Sequence, residues 1–459
     1  MIFSTVTFLF YFFPLFLLLY FITPFKNTVL LVSSLVFYAW GEAGYTLILL
    51  VSIIINYVFG LLINKNQSNN KSKYYLSSGV IINLLLITYY KYFNFLASDI
   101  FNLKLPKEVH LPLGISFFTF QAISYLVDVH RKEAKVENNI INLALYISMF
   151  PQLIAGPIVR FKTVAKQIKK RVVSLTGFSK GLRIFIIGLG QKVLIANTVA
   201  LTADNIFSLP EQSLTMLVAW LGALSYSLQI FFDFAGYSNM AIGLGLIMGF
   251  TFPKNFNYPY ISQSITEFWR RWHISLSTWF RDYLYIPLGG NRVSPMRNYF
   301  NLILVFFLCG LWHGAAWTFI IWGTYHGLFL IIEKIKIGLI LKNNWRPIRH
   351  IYTLVVVLIG WVIFRVDNFV HLNFYLTALL GLSNAETQTE TLSAYMSNSL
   401  ITVICLGTIF SLPISKTIKS KINAKVFIFS SELFYLAVFL FSIINIASGS
   451  YNPFIYFRF

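Results

Sequence analysis

Charge is what this sequence has least of. Only 11% of its 459 residues are charged and 57% are hydrophobic, too little polarity to clothe a soluble core in a water-facing surface. Cysteine is nearly absent: Cys309 and Cys405 are the only two, both inside apolar runs, so no disulfide framework is available. Neither an H-E-x-x-H segment nor a cysteine cluster occurs, so no metal site is expected. A Walker loop is missing too, which argues against an ATP-driven machine. Acidic residues are outnumbered by Lys and Arg, 16 to 36.

What is present in abundance is long apolar runs, near 6–22, 27–41, 45–64, 76–97, 111–129, 176–203, 214–232, 299–316, 318–341, 349–366, 397–413 and 427–448. A bilayer core takes roughly 20 apolar residues per helical crossing. The chain is therefore expected to be an all-α polytopic membrane protein with about 11–12 transmembrane helices. The first run has no basic residue before it and no small-residue cleavage site after it, so it is expected to stay as a helix. The net charge of +20 resides in short loops, among them Arg131, Lys132 and Lys135, and the group from Arg160 to Arg171. That is the positive-inside pattern and not a nucleic-acid footprint.

Placing the basic loops in the cytoplasm leaves one conflict. The loops at 131–135 and 160–171 both belong inside, yet an apolar stretch lies between them. It contains Pro151, Gly156 and Pro157, which interrupt helical hydrogen bonding. A re-entrant hairpin over 139–158 is expected, which is tolerated where protein or a water-filled cavity surrounds it. The count then puts 205–212, 383–396 and both chain ends outside.

Two regions hold the polar chemistry. In "SITEFWRRWHISLSTWFRDYLYIPLGGNR" charged residues alternate with rings, the profile of amphipathic interfacial helices. Glu267 and Arg271 are four apart and can pair on one face. In "CGLWHGAAWTFIIWGTYHG" His313 sits between Trp312 and small residues without a flanking charge. An ionisable group inside an apolar crossing is expensive and points to function, and an isolated imidazole suits general acid–base work near neutral pH. The competing reading is a histidine hydrogen-bonded to a neighbouring helix.

Together "DFAGYSNMAIGLGLIMGF", "NFNYPY", "FWRRWHISLSTWFRDYLYIPLGGNR" and "LWHGAAWTFIIWGTYHG" resemble the membrane-bound O-acyltransferase (MBOAT) superfamily. Within it they resemble the bacterial branch of alginate and peptidoglycan O-acetyltransferase membrane subunits. The resemblance covers nearly the whole chain. It implies a single transmembrane domain over 1–459, with the catalytic motifs in 233–327 and an aromatic tail at 450–459. It also implies that His313 is catalytic and that His273 is the second characteristic histidine. Asp233, Glu267, Arg271, Arg281, Asp282 and Trp312 are expected to line or support the tunnel. His326 has no counterpart and is read as structural. "IPLGGNR" looks more like polysaccharide-acetylating members than D-alanylating ones.

The function implied is acyl transfer across the bacterial cytoplasmic (inner) membrane, from a cytoplasmic thioester, acetyl-CoA, for O-acetylation of a cell-envelope or extracellular polysaccharide. No bound cofactor is expected. A separate extracellular or periplasmic acyltransferase of the SGNH type would complete the transfer to the polysaccharide acceptor. The tail "NPFIYFRF" reads either as a headgroup anchor or, by the same resemblance, as an acyl-receiving motif whose hydroxyl is that of Tyr456. A transporter or export component for a lipid-linked sugar is the reading from another class. Against it, no pair of similarly broken helices recurs in corresponding halves.

Overall fold

The computed structural model describes residues 1–335, 337–383, 392–414, 423–449 and 451–455. Among these every regular element is helical, the all-α class expected. Six stretches of the described residues are long and apolar enough to cross a membrane: Lys26–Lys65, Lys71–Ile100, Leu175–Phe207, Met216–Ile247, Arg346–Arg365 and Lys425–Ala447. The other expected runs merge, or fall short of that length or hydropathy, for local reasons. Lys26–Lys65 is two successive helices joined by a 3-10 turn at Ala43–Tyr45. The run at 6–22 divides into a π turn and a ten-residue helix. The runs at 299–316 and 318–341 form helices whose Asn298, Asn301, His326 and Glu333 dilute their apolar character.

The chain packs as two compact units, Met1–Phe185 with Tyr237–Lys254, and Ile186–Gly236 with Asn255–Phe459. The first begins with α1 (Phe13–Ile22), α2 (Lys26–Glu42), α3 (Thr46–Lys65), α4 (Lys71–Ile87) and α5 (Ile115–His130). Its core is aromatic, with Phe3 stacked on Tyr237 at 4.4 Å and Phe37 against Phe150 at 5.4 Å. Helices α3 and α4 are tied by reciprocal amide hydrogen bonds between buried Asn56 and Asn83, at 3.1 and 2.9 Å. Polar pairing of this kind joins helices where apolar contact with lipid is no worse than contact with protein.

The expected hairpin lies in this unit. It starts with α6 (Ile140–Ser148), capped by the Asn139 side chain, which accepts from the Ile141 N–H. Nine residues span about 14 Å, half of a hydrocarbon core, so α6 alone cannot cross. It breaks at Met149, where ψ is 114°, continues as the single turn α7 (Phe150–Leu153), and unwinds before α8 (Phe161–Lys169). Residues 143–159 are all buried, so the irregular backbone is enclosed by protein. Gly156 is required there, because a Cβ would meet the Pro151 carbonyl oxygen at 2.5 Å.

The helix α9 (Leu175–Gly190) begins in the first unit and ends in the second, where it runs through a π turn at Gln191–Ala196 into α10 (Asn197–Phe207). Next come α11 (Met216–Ile247), the short α12 (Ile265–Arg271) and α13 (Ile274–Phe280), then α14 (Pro295–His313) and α15 (Trp317–Ile335). The last pair forms an antiparallel hairpin. A Cβ on Gly310 would strike the Phe319 carbonyl, and one on Gly323 the Phe306 carbonyl, so the two backbones touch where both lack side chains. Helix α16 (Arg346–Arg365) packs on α15.

Candidate active site

Helix α14 starts with Pro295 at its first position, where the missing N–H costs nothing. It stops at His313 because Gly314 is extended, at φ −165° and ψ 156°. His313 therefore occupies the tip of the α14–α15 hairpin and not the middle of a crossing. Its imidazole is 6% exposed. Around it stand Trp312, Trp322 and Phe364, with ring centroids at 4.9, 5.0 and 5.2 Å, all close to edge-on. Such an enclosure holds an imidazole in one orientation and keeps bulk water off it, which suits a base acting on a single hydroxyl.

Trp312 also reaches the second histidine, 6.0 Å from the His273 ring. The sequence pattern placed His273 at an interface; the structure buries it completely, at 0% exposure. The reason is its backbone. His273 joins α12 to α13 in a left-handed conformation, φ 41° and ψ 55°, which costs a non-glycine residue about 1–2 kcal/mol. The turn sends the ring inward against Phe234 at 4.5 Å, while Arg270 faces outward. His273 Nδ1 lies 3.2 Å from Asn255 Oδ1, which also accepts from the Ser275 N–H at 3.1 Å and the Ser275 hydroxyl at 2.9 Å. An oxygen fixed by a backbone N–H is an acceptor, so His273 donates from Nδ1. Its Nε2 is left as a buried lone pair with no hydrogen-bond partner among the described residues. Burial pushes the pKa well below the ordinary histidine value, so the ring is neutral at physiological pH.

The other candidate residues serve different ends. Ser264 caps α12, its hydroxyl accepting from the Glu267 N–H at 3.0 Å, and Glu267 reaches back past the cap to accept from the Gln263 N–H at 2.9 Å. Glu267 also binds Arg271 at 2.9 Å, and Arg271 donates to the Asn257 carbonyl at 3.0 Å. This pair braces the loop that delivers Asn255. Arg281 and Asp282 pair with each other at 2.6 Å, and that hydrogen bond raises the pKa of the exposed arginine. Asp233 forms a buried ion pair with Lys192 at 2.7 Å. His326 is buried among Trp269, Trp322 and Tyr325, with neither ring nitrogen hydrogen-bonded among the described residues. Tyr456 lies outside the described residues. A G-x-S-x-G string at 177–181 sits inside α9 and lacks the strand-to-helix turn that exposes a nucleophilic serine.

Residues 34–375 match the family model described as MBOAT, membrane-bound O-acyltransferase family. The chain belongs to the membrane-bound O-acyltransferase family. It is an acyltransferase and a multi-pass membrane protein. Over its full length it is 40% identical to the whole of the probable alginate O-acetylase AlgI of Azotobacter vinelandii. It is 38% identical to the peptidoglycan O-acetyltransferase of Helicobacter pylori, across 83% of this chain and 80% of that one. The teichoic acid D-alanyltransferase of Bacillus subtilis is 32% identical, across 59% of this chain and 71% of that one.

Three residues of this candidate site escaped the sequence reading. Asn255 was visible as the first asparagine of "NFNYPY", but nothing in the string says that its oxygen takes three donors. Lys192 is one of three basic residues inside the run 176–203, with Lys180 and Arg183; it is the one set deepest in the apolar stretch, where a charge defaults to function. Glu333 lies at the far end of α15, where its carboxylate accepts from the Ile265 and Thr266 N–H groups at 2.5 and 2.9 Å. It thereby caps α12 from 67–68 residues away.

Proposed function

We propose that this MBOAT protein resides in the bacterial cytoplasmic membrane and takes acetyl from cytoplasmic acetyl-CoA for O-acetylation of a cell-envelope or extracellular polysaccharide. The observation that carries the proposal is the placement of His313 at a helix tip, walled by Trp312, Trp322 and Phe364, in a chain aligned end to end with a probable alginate O-acetylase. Here His313 takes the proton of an acceptor hydroxyl as its oxygen attacks the thioester carbonyl. The C–S bond breaks, and the imidazolium returns the proton to the leaving thiolate. General-base assistance of this kind contributes about 10²–10⁴-fold.

The first acceptor in this reading is the Tyr456 hydroxyl. A phenol, with a pKa near 10, becomes a competent nucleophile when a base removes its proton. An SGNH-type acyltransferase outside the membrane then moves acetyl to the polymer. The test is the acetyl released by mild base per sugar residue, compared between wild type and a His313→Ala strain. The expected result is secreted polymer without acetyl. Loss of the polymer with unchanged acetyl per sugar would mark the chain as an export component instead.

A further inference from the structure

The Lys192–Asp233 ion pair is deeply buried, at 1% and 2% side-chain exposure. Burying two charges costs more desolvation than a single contact returns unless further hydrogen bonds use the remaining valences. Here those valences go to the C-terminal segment. Lys192 Nζ donates to the Pro453 carbonyl, and Asp233 Oδ2 accepts from the Ile455 N–H at 2.9 Å. The site is built for this. Lys192 lies in the π turn that interrupts the α9–α10 helix, a feature that often marks functional positions. Gly236, one turn after Asp233, lets α11 approach that turn: a Cβ there would meet the Gly188 carbonyl oxygen at 2.6 Å and the Lys192 nitrogen at 3.0 Å. Two outer contacts lead the segment in, Tyr451 to Asp204 at 2.7 Å and Asn197 to Asn452 at 3.2 Å. Phe454 and Ile455 are buried beside them.

We propose that Lys192 and Asp233 are positioning residues that seat the C-terminal tail and fix its direction and register, so that Tyr456 follows a clamped residue. The cation meets a carbonyl and the anion meets an N–H, so a reversed segment would face each charge with the wrong dipole. A tail that only anchored at headgroups would need neither backbone contact. The functional consequence rests on the proposed route through Tyr456; the seat itself is read separately.

The experiment uses the full chain in detergent, with Cys309→Ala, Cys405→Ser and Ile455→Cys, and measures the rate of labelling by a polar maleimide. Three backgrounds are compared: Lys192 with Asp233, the apolar pair Lys192→Met with Asp233→Leu, and the swapped pair Lys192→Asp with Asp233→Lys. Apolar replacement of both partners of a buried ion pair avoids the uncompensated charge that a single replacement leaves and is often neutral or stabilising, and the swap preserves helix-to-helix attraction. Both reverse or remove the polarity that the tail meets. Labelling is expected to rise roughly tenfold or more in both variants, the signature of local opening, and acetyl on the C-terminal peptide is expected to fall with it. Slow labelling in the apolar variant, or restored protection in the swap, would reduce the pair to a helix staple and overturn the inference. Rapid labelling together with normal polymer acetylation in Tyr456→Phe would keep the seat and reject the route through the tyrosine.

Discussion

His273 Nδ1 and Asn255 Oδ1 stand 3.2 Å apart, and this contact sets which nitrogen of the buried histidine is left basic. Because Asn255 Oδ1 also receives both Ser275 donors, the side chain holds tautomer and turn together. Asn255→Ala is expected to lower acetylation as far as His273→Ala does, since it leaves three donors without an acceptor, each costing about 1–3 kcal/mol if buried. Asn255→Asp separates the two roles. Its carboxylate keeps the acceptors but favours the doubly protonated ring, so the acid limb of the pH–activity profile should move to higher pH. A profile identical to wild type would show that His273 takes no part in the rate.

The same burial makes a stability prediction. His273 has a folded-state pKa below its unfolded value of about 6.5, so the unfolded chain binds the extra proton first. Its contribution is complete above pH 6.5 and is lost as pH falls below that value toward the folded pKa, by up to about 1.4 kcal/mol per pH unit. Thermal unfolding in detergent from pH 7.5 to 5 should show a steeper loss for wild type than for His273→Gln. Equal slopes would mean that water or a counter-charge reaches the ring.

Glu333 offers a test of long-range positioning. Its carboxylate takes the Ile265 and Thr266 N–H groups and the Thr266 hydroxyl at 2.7 Å. Glu333→Ala orphans all three at the start of the helix that ends beside His273. The expected outcome is a lower melting temperature and reduced acetylation, with Glu333→Asp intermediate. Full activity in a well-expressed Glu333→Ala protein would assign the cap to Ser264 and Glu267 alone.

How legible all this was depended on range along the chain. His313 stands out in a string of nineteen residues because it is an imidazole among Trp, Ala and Gly, but its place at a helix tip and not in the middle of a crossing depends on the extended Gly314, which the string does not reveal. The broken hairpin over 139–158 was also legible, since Pro151 and Gly156 act on their own backbone. His273 was misplaced because Arg270 and Arg271 beside it suggest a water-facing strip; Arg271 instead turns back onto Glu267 and the Asn257 carbonyl, and the left-handed turn inverts the next ring. Run lengths did not show where a helix changes its winding, because hydropathy does not register π turns such as Thr7–Phe12 and Gln191–Ala196. The Lys192 partners are 41 and 261 residues away in sequence, beyond any local pattern.

Tyr456 carries the last prediction, and it joins the chemistry at His313 to the seat at Asp233. The residue before it donates its N–H to Asp233, and Phe234, the next residue of α11, packs edge-on against His273. One turn of one helix therefore touches both the tail and the histidine cluster. Tyr456→Phe removes a single oxygen and keeps the ring, so docking through the Pro453 and Ile455 backbone should survive while acyl transfer stops. Wild-type protein should carry acetyl on the C-terminal peptide by mass spectrometry, Tyr456→Phe should carry none there, and its polymer should lose base-labile acetyl to the same extent as in His313→Ala. Wild-type polymer acetylation in Tyr456→Phe would send acetyl from the thioester to another acceptor, with His313 still as the base and the tail as a structural plug.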